Sequence, residues 1–217
     1  MTLPDGASRT SQRPPVILLH GLGRTPASMW WLSRYLRWAG IPSHLLGYPS
    51  NRQGLADNIE AVQARIADLL LAMPVDLVGH SMGGVISRHL CVADNGLNVR
   101  RVVQLGAPNL GSALADRMGP FWAVRKACGP AIADLGVRTE ILKPDPRIHA
   151  IAGTGGCHTR HGVLQGPHDG AVTVRSAWAG AATRYRVGAM HTLMPMSREV
   201  ARTLVQALTA PDAPRVT

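Results

Sequence analysis

Short, continuous runs of apolar residues constrain the fold of this chain more than any other feature of its sequence. The run Val-Ile-Leu-Leu at residues 16–19 has no polar residue at alternate positions, which is typical of a strand buried on both faces of a sheet. Comparable runs predict six strands, over residues 15–20, 41–47, 75–79, 99–105, 148–152 and 185–189. Strands of this kind occur mainly in parallel sheets that helices cover.

Segments with helical spacing separate these runs. Met29, Leu32, Leu36 and Ala39 recur at helical intervals, and the clearest helical pattern extends over residues 55–73. Further helices are predicted over residues 82–94 and 197–208. Strands that alternate with helices indicate an α/β fold, with a mainly parallel central sheet and helices on both faces.

The length of 217 residues fits a single domain with one well-buried core. We expect a flexible N-terminal segment, one domain and a C-terminal tail, at residues 1–14, 15–210 and 211–217 respectively. Residues 111–146 contain apolar residues but are cut by Pro120 and by Gly129, so two or three short helices are predicted there as a lid-like insertion. The glycine-rich residues 153–170 are predicted to form a loop.

Composition excludes several classes of protein. Only 17% of the residues are charged, so an ordered chain is expected. No window approaches the roughly 18 consecutive apolar residues of a membrane-spanning helix, and residues 1–15 lack the apolar core of a secretory signal. The three cysteines form no CxxC pair. These features favour a reduced, cytoplasmic protein, and they leave its oligomeric state open.

The net charge of +10 is dispersed along the chain. Nucleic-acid binding requires a clustered basic patch, and it usually involves aromatic residues that stack on bases. No Lys/Arg stripe is present and aromatic residues make up only 4%, so nucleic acid is not expected as a partner. The charge does favour a weak peripheral association with anionic membrane surfaces.

The sequence Gly79-His-Ser81-Met-Gly83 matches the pattern G-x-S-x-G directly after a predicted strand and before a predicted helix. A sharp strand-to-helix turn at this position lifts a serine hydroxyl above the sheet, and the glycines avoid clashes there. Ser81 is therefore the candidate nucleophile.

A serine hydroxyl needs a base within hydrogen-bond distance and a carboxylate that orients the base. After a G-x-S-x-G turn the expected order along the chain is acid and then histidine. Asp169, at the end of the glycine-rich loop, and His191, after the last predicted strand, satisfy that order. The alternatives are Asp145 and Asp134 as the acid, and His161 and His168 as the base.

Acyl transfer also requires N–H donors for the tetrahedral oxyanion. We expect one donor to be the backbone N–H of Met82, at the start of the helix that follows Ser81. The second is expected to be the N–H of Leu22, in the loop His20-Gly21-Leu22-Gly23, where glycine lets the main chain approach a substrate.

Three stretches carry a resemblance to a known family: residues 20–23 (His-Gly-Leu-Gly), 79–84 (Gly-His-Ser-Met-Gly-Gly) and 102–112 (Val-Val-Gln-Leu-Gly-Ala-Pro-Asn-Leu-Gly-Ser). The chain resembles the bacterial lipase/esterase branch of the α/β-hydrolase fold. The resemblance implies Ser81, Asp169 and His191 as the triad, and the backbones of Leu22 and Met82 as the oxyanion hole.

The resemblance also implies that the segment containing Pro108 walls an acyl pocket. Around it we expect the substrate-pocket residues His20, Gly21, Trp30, His80, Pro108 and Trp122. The aromatic residues of the insertion, Phe121 and Trp122, either form a lid over the cleft or pack the insertion against the body of the domain. Because the insertion is short, short- or medium-chain acyl esters are expected to be favoured over long-chain triglyceride.

Five residues of the glycine-rich loop are also potential zinc ligands: Cys157, His158, His161, His168 and Asp169. Their spacing fits no common zinc pattern, and Asp169 is better used in the triad. We therefore expect no metal and no cofactor.

The leading hypothesis from the sequence is a serine hydrolase that cleaves carboxylic esters through an acyl-enzyme intermediate. An acyl thioesterase or an acyltransferase would use the same residues, because only the leaving group or the acceptor differs. A non-catalytic binding protein with this fold is the alternative from another class, although such a chain should have lost one of the three catalytic residues.

Overall fold

The computed structural model of the chain describes residues 13–69, 73–137, 142–156 and 163–211. Within these residues a six-stranded sheet has the order β2-β1-β3-β4-β5-β6, and every neighbouring pair is parallel. The strands are β1 (Val16–Leu19), β2 (Ser43–Leu46), β3 (Val75–His80), β4 (Val99–Leu105), β5 (Asp145–Gly153) and β6 (Ala181–Val187). The predicted α/β fold with a mainly parallel sheet is confirmed.

Eight α-helices and two short 3-10 helices accompany the sheet in the part of the chain that the structure describes. The α-helices are α1 (Trp30–Trp38), α2 (Leu55–Leu69), α3 (Met82–Val92), α4 (Ala113–Met118), α5 (Trp122–Cys128), α6 (Ala131–Asp134), α7 (Val174–Trp178) and α8 (Arg198–Thr209). The 3-10 helices are Pro26–Met29 and His191–Met196.

Strand β1 explains why helices cover both faces of the sheet. Its alternate residues Ile17 and Leu19 are buried in a core layer with α2 and α3. Val16 and Leu18 are buried on the opposite face, with α1 and α8. A four-residue apolar strand therefore contributes to two cores, and the burial of apolar surface on both faces stabilises the centre of the sheet.

Two elements differ from the sequence predictions. Strand β6 covers Ala181–Val187, whereas residues 185–189 were expected. Burial alternates along this edge strand, so it lacks the continuous apolar run on which the expectation was based. Helix α7 was not expected, because its five residues are too few to establish a helical period.

The predicted insertion contains α4, α5 and α6, and no side chain of α4 or α5 is fully buried. The predicted flexible segment at 1–14 and the predicted tail at 211–217 lie almost wholly outside the described residues. No helix of the ranges given above is both long and apolar enough to span a membrane.

Candidate active site

Ser81 lies at the turn between β3 and α3, at the carboxyl edge of the sheet. Its φ of 55° and ψ of −122° are unusual for a residue with a side chain, and it is the one non-glycine residue of the described chain with a positive φ. Its N–H donates to the carbonyl of Leu105 at 2.9 Å, and its carbonyl accepts from Gly84 N–H at 2.9 Å. These contacts hold the strained turn that was predicted for the G-x-S-x-G sequence.

The two glycines of that sequence are required because a β-carbon would not fit at either position. A β-carbon at Gly79 would lie 2.2 Å from the carbonyl carbon of Gly83. A β-carbon at Gly83 would lie 2.5 Å from the carbonyl oxygen of His20, at the end of the β1 region. The start of α3 therefore packs directly on the backbone of β3 and of the loop after β1, which fixes the position of Ser81.

The structure brings the three predicted side chains together. The Nε2 atom of His191 lies 3.0 Å from Ser81 Oγ, and its Nδ1 atom lies 2.8 Å from Asp169 Oδ2. Because an ionised carboxylate only accepts, Nδ1 carries the hydrogen in this pair. Nε2 is then free to accept the hydroxyl hydrogen of Ser81, as a general base must.

Backbone groups form hydrogen bonds with both the side chain and the main chain of Asp169. Its Oδ1 atom accepts from the N–H groups of Ala171 at 2.9 Å and Val172 at 2.7 Å. Its carbonyl accepts the N–H of His191 at 2.8 Å. The Asp169 side chain is 1% exposed and that of His191 is 14% exposed, so the pair is shielded while the imidazole still reaches the cleft.

The alternative acids Asp145 and Asp134 and the alternative base His168 make other contacts in the structure. Asp145 starts β5, at the opposite end of that strand from the site, and pairs with Arg147 at 2.7 Å. Burial alone would raise the pKa of Asp145, but hydrogen bonds from Arg147 outweigh it and lower the pKa. Asp134 accepts the N–H of Leu55 at 2.8 Å. His168 Nδ1 accepts from the N–H of Gly170 at 3.0 Å, and His161 lies outside the described residues.

The expected oxyanion donors lie on either side of Ser81. Met82 is the first residue of α3, and Leu22 lies in the loop after β1 and lines the cleft beside Ser81. Neither N–H donates to a backbone carbonyl within residues 13–69, 73–137, 142–156 and 163–211. Both remain available to a ligand, and the helix dipole of α3 favours negative charge near Met82.

A small apolar cleft of about 210 Å³ opens beside Ser81 and His191. Much of its wall comes from the insertion, and the remainder comes from loops after the strands. The other lining residues are Leu22, Pro108, Ser112, Leu114, Ala115, Met118, Val124, Ile132, Leu135, Ala171 and Val172. An apolar wall next to a hydroxyl nucleophile suits an acyl chain.

Of the six residues expected in the substrate pocket, Pro108 lines this cleft, and the other five do not. Trp30 and Trp122 are 55% and 76% exposed, because each projects outward from the start of its helix. Helix α5 instead turns Val124 toward the cleft. The sequence did not single out Ile132 and Val172 as pocket residues, and both lie on the cleft wall.

His20, Gly21 and His80 lie behind the site rather than in the cleft. The ring of His20 is buried and stacks on Tyr48 with 4.3 Å between ring centroids. A β-carbon at Gly21 would lie 3.1 Å from His80 Nδ1, so this glycine packs against the imidazole. Burial lowers the pKa of His20, since it disfavours the charged ring.

His80 contacts the backbone of His191. Its Nε2 lies 3.0 Å from the carbonyl oxygen of His191, and the centroids of the two rings are 4.9 Å apart. Complete burial, with a further contribution from His191, lowers the pKa of His80 well below its ordinary value. His80 is therefore neutral, and the contact assigns its ring hydrogen to Nε2.

Three of the five candidate zinc ligands, Cys157, His158 and His161, lie outside the described residues. Among the residues that can be described, no group of three or more metal-ligating side chains occurs. In the structure Asp169 contacts His191, and His168 is bonded to the backbone of its own loop.

Comparison with known proteins identifies the family. A sequence model of the alpha/beta hydrolase family matches residues 16–216. The chain belongs to this family. The predicted membership of the α/β hydrolases is thereby confirmed, and the match extends over nearly the whole chain.

Individual relatives of this α/β hydrolase are distant. The 2-hydroxy-6-oxo-2,4-heptadienoate hydrolase of Pseudomonas putida is 31% identical over 120 residues, which are 50% of this chain and 42% of that enzyme. Less than half of that relative is therefore matched.

Solved structures share the fold at lower identity. The mature form of the Bacillus licheniformis lipase BlEst2 superposes with a TM-score of 0.72 at 21% identity, over 95% of this chain and 96% of the lipase. The RedJ thioesterase of the prodiginine pathway in Streptomyces coelicolor gives a TM-score of 0.61 at 14% identity, over 95% of this chain and 91% of the thioesterase.

Proposed function

We propose that this α/β hydrolase cleaves carboxylic esters, with Ser81 as nucleophile, His191 as base and Asp169 as the group that orients His191. One observation carries the proposal: the continuous contact from Ser81 Oγ through the His191 ring to Asp169 Oδ2, at 3.0 and 2.8 Å, beside an apolar cleft. The similarity to a lipase and a thioesterase in fold supports it.

In the first half of the reaction, Ser81 Oγ bonds to the ester carbonyl carbon while its proton passes to His191 Nε2. The negative charge moves to the carbonyl oxygen, where the N–H groups of Leu22 and Met82 stabilise it. The carbon–oxygen bond to the alcohol then breaks, and the proton on Nε2 leaves with the alcohol. The product on the protein is an acyl ester of Ser81.

In the second half, water attacks the acyl carbon while its proton passes to His191 Nε2. Collapse of the second tetrahedral species returns that proton to Ser81 Oγ and releases the carboxylic acid. Throughout, Asp169 keeps the hydrogen on Nδ1 and stabilises the imidazolium. No cofactor enters these steps.

The small cleft favours short or medium acyl chains. Hydrolysis of p-nitrophenyl esters from acetate to palmitate is expected to peak at a short or medium chain, because about 210 Å³ of lined space cannot hold a long chain fully. A maximum at palmitate would contradict this substrate class.

A serine exchange tests the nucleophile. Ser81→Ala should lower kcat for the best ester by roughly a millionfold. Ser87→Ala is the matched control, since it removes a buried hydroxyl of the same helix that donates only to the carbonyl of Gly83, and it should keep the activity. Equal activity of both variants, or an inactive wild-type protein, would contradict the proposal.

The same panel separates the related activities. Acyl thioesters, and esters in the presence of an alcohol acceptor, measure thioesterase and acyltransferase activity with the same residues. Because a partial relative is a 2-hydroxy-6-oxo-2,4-heptadienoate hydrolase, that compound belongs in the panel as well. A preference for one of these substrates over every carboxylic ester would replace the proposed substrate class.

A further inference from the structure

Three exposed apolar side chains of the insertion lie close together in the sequence, at one edge of the cleft. Met118, Phe121 and Trp122 are 37%, 59% and 76% exposed, and Met118 also lines the cleft. Arg125 and Lys126 are exposed on α5, one turn further along. We call these five residues the insertion patch.

Among the residues that the structure describes, no element covers the insertion patch. Helix α5 has no fully buried residue, and only Val124 and Cys128 are half-buried toward the body. Phe121 and Arg125, and likewise Trp122 and Lys126, are four residues apart, so each aromatic ring has a cation beside it on the helix surface. Tryptophan and phenylalanine next to long basic side chains are typical of surfaces that insert into a membrane–water interface.

Charge favours an anionic surface over a second copy of the chain. Residues 116–134 contain three cations, Arg117, Arg125 and Lys126, and two acidic residues, Asp116 and Asp134. The two carboxylates accept the backbone N–H groups of Val137 and Leu55, and neither belongs to the insertion patch. Two such patches facing each other would bring like charges together. Anionic lipid headgroups would neutralise them while the rings enter the acyl region.

We propose that the insertion patch is a docking surface for anionic lipid bilayers. The patch borders the cleft through Met118, so docking would place the opening of the cleft next to the lipid. This docking does not depend on the reaction assigned to Ser81.

Vesicle sedimentation tests the docking surface. Ser81→Ala protein, which spares the lipid from hydrolysis, is mixed with phosphatidylglycerol or phosphatidylcholine vesicles at low salt. It should bind the phosphatidylglycerol vesicles, and Phe121→Ser with Trp122→Ser should weaken binding about tenfold or more. Trp38→Ser is the matched control, since Trp38 is 82% exposed on α1, and it should leave binding unchanged.

Three results of the vesicle assay would overturn the proposal, and a fourth comes from self-association. They are no binding to phosphatidylglycerol, equal binding to phosphatidylcholine, and a double variant that binds as tightly as the Trp38→Ser control. Loss of self-association in the double variant, without any effect on vesicles, would also overturn it in favour of a second copy as the occupant. Melting temperatures confirm that the variants remain folded.

A second observation concerns His80, and this inference rests on the proposed function. The carbonyl of His191 accepts from His80 Nε2 at 3.0 Å, and the N–H of His191 donates to the carbonyl of Asp169 at 2.8 Å. The other side of the His80 ring packs on Gly21, next to the expected oxyanion donor Leu22. The ring thus fills the space between the loop that carries the base and the loop after β1.

We infer that His80 is a positioning residue that holds His191 within hydrogen-bond distance of Ser81. His80→Gln keeps an N–H donor at a similar reach, whereas His80→Met keeps the volume and removes the donor. His80→Met should lower kcat by up to about a hundredfold with little change in KM, since a small displacement of a base costs that much. His80→Gln should restore most of the loss.

Equal losses in both variants, or an unchanged kcat in His80→Met, would overturn the role of His80. Reaction of Ser81 with a fluorophosphonate in the same variants distinguishes this failure from failure of the proposed function. If Ser81 reacts in every variant but the rates do not follow the donor, the positioning role alone fails. If Ser81 does not react even in the wild type, the proposed function fails.

Discussion

The residues proposed for the chemistry and the wall of the cleft beside them are anchored differently. Ser81 directly follows the buried strand β3, whereas Asp169 and His191 lie after β5 and β6. Asp169 accepts two backbone N–H groups and contacts the His191 ring. Helices α4 and α5 of the insertion have no buried side chain.

Individual polar contacts fasten the insertion to the body. Asp134 accepts the N–H of Leu55 at the start of α2, and Ser112 donates its hydroxyl hydrogen to the carbonyl of Ala171. Apolar anchoring comes from Ala131 and Leu135, in and just after α6, which belong to the core layer with α2 and α3. Helices α4 and α5, which bury little apolar surface, open at a lower free energy than a core region does. On the proposed function, this difference divides reactivity from substrate choice: the sheet edge positions Ser81, Asp169 and His191, and the insertion lines much of the cleft beside them.

The largest expected effect comes from the group of Ser81, Asp169 and His191 at the edge of the sheet. Asp169→Asn should lower kcat by about 10⁴-fold. The N–H groups of Ala171 and Val172 should keep the amide oxygen on their side, so the amide NH2 group faces His191 Nδ1 and donates to it, which favours the wrong tautomer of His191. Steady-state ester hydrolysis measures it. Retention of kcat within tenfold would remove Asp169 as the acid that orients His191.

The pH dependence of the free energy of unfolding is the next largest effect, and it arises from the buried histidines behind the site. His20 and His80 have pKa values below their ordinary 6.5 because they are buried. Below about pH 6.5 the unfolded chain binds protons that the folded chain does not, so the free energy of unfolding falls as pH falls, by up to about 1.4 kcal/mol per pH unit for each group. Urea unfolding at pH 7.5, 6.5 and 5.5 measures the slope.

His80→Gln is the control for this slope, since it removes one of the two titrating rings. It should flatten the decline between pH 6.5 and 5.5. A wild-type stability that is constant or rises over this range would contradict the neutral, buried state of these histidines.

The smallest effect is expected in the insertion. Asp134→Ala removes the acceptor for the N–H of Leu55 and should lower the free energy of unfolding by about 1 kcal/mol, as loss of a helix cap does. Its kcat should stay within a few-fold of the wild type. A loss of kcat as large as that of Asp169→Asn would erase the difference between the two regions.

The sequence predicts the positions of strands best where side chains are buried on both faces of the sheet. Strand β1 is a continuous apolar run, and β3 is mostly apolar and buried at every position. Burial alternates along the edge strand β6, and its start was predicted four residues late. Ser81, Asp169 and His191 could be brought together in advance because the carboxyl ends of parallel strands meet at one edge of the sheet.

The lining of the cleft could not be predicted in the same way. Which side of α5 faces the body depends on how the insertion packs against the rest of the domain, and the spacing of residues within α5 does not determine this. Trp122 was therefore expected inside the pocket where Val124 lies. His80 was also expected in the pocket, but its ring lies behind the turn and contacts the carbonyl of His191. The two residues are 111 positions apart, so no local pattern relates them.

Peptide mapping by mass spectrometry after reaction with a fluorophosphonate tests most directly whether the three side chains activate Ser81. We expect a single phosphonyl adduct on the peptide that contains Ser81, absent from Ser81→Ala and formed much more slowly in Asp169→Asn. An adduct on another serine, or no adduct on the folded wild-type protein, would contradict it.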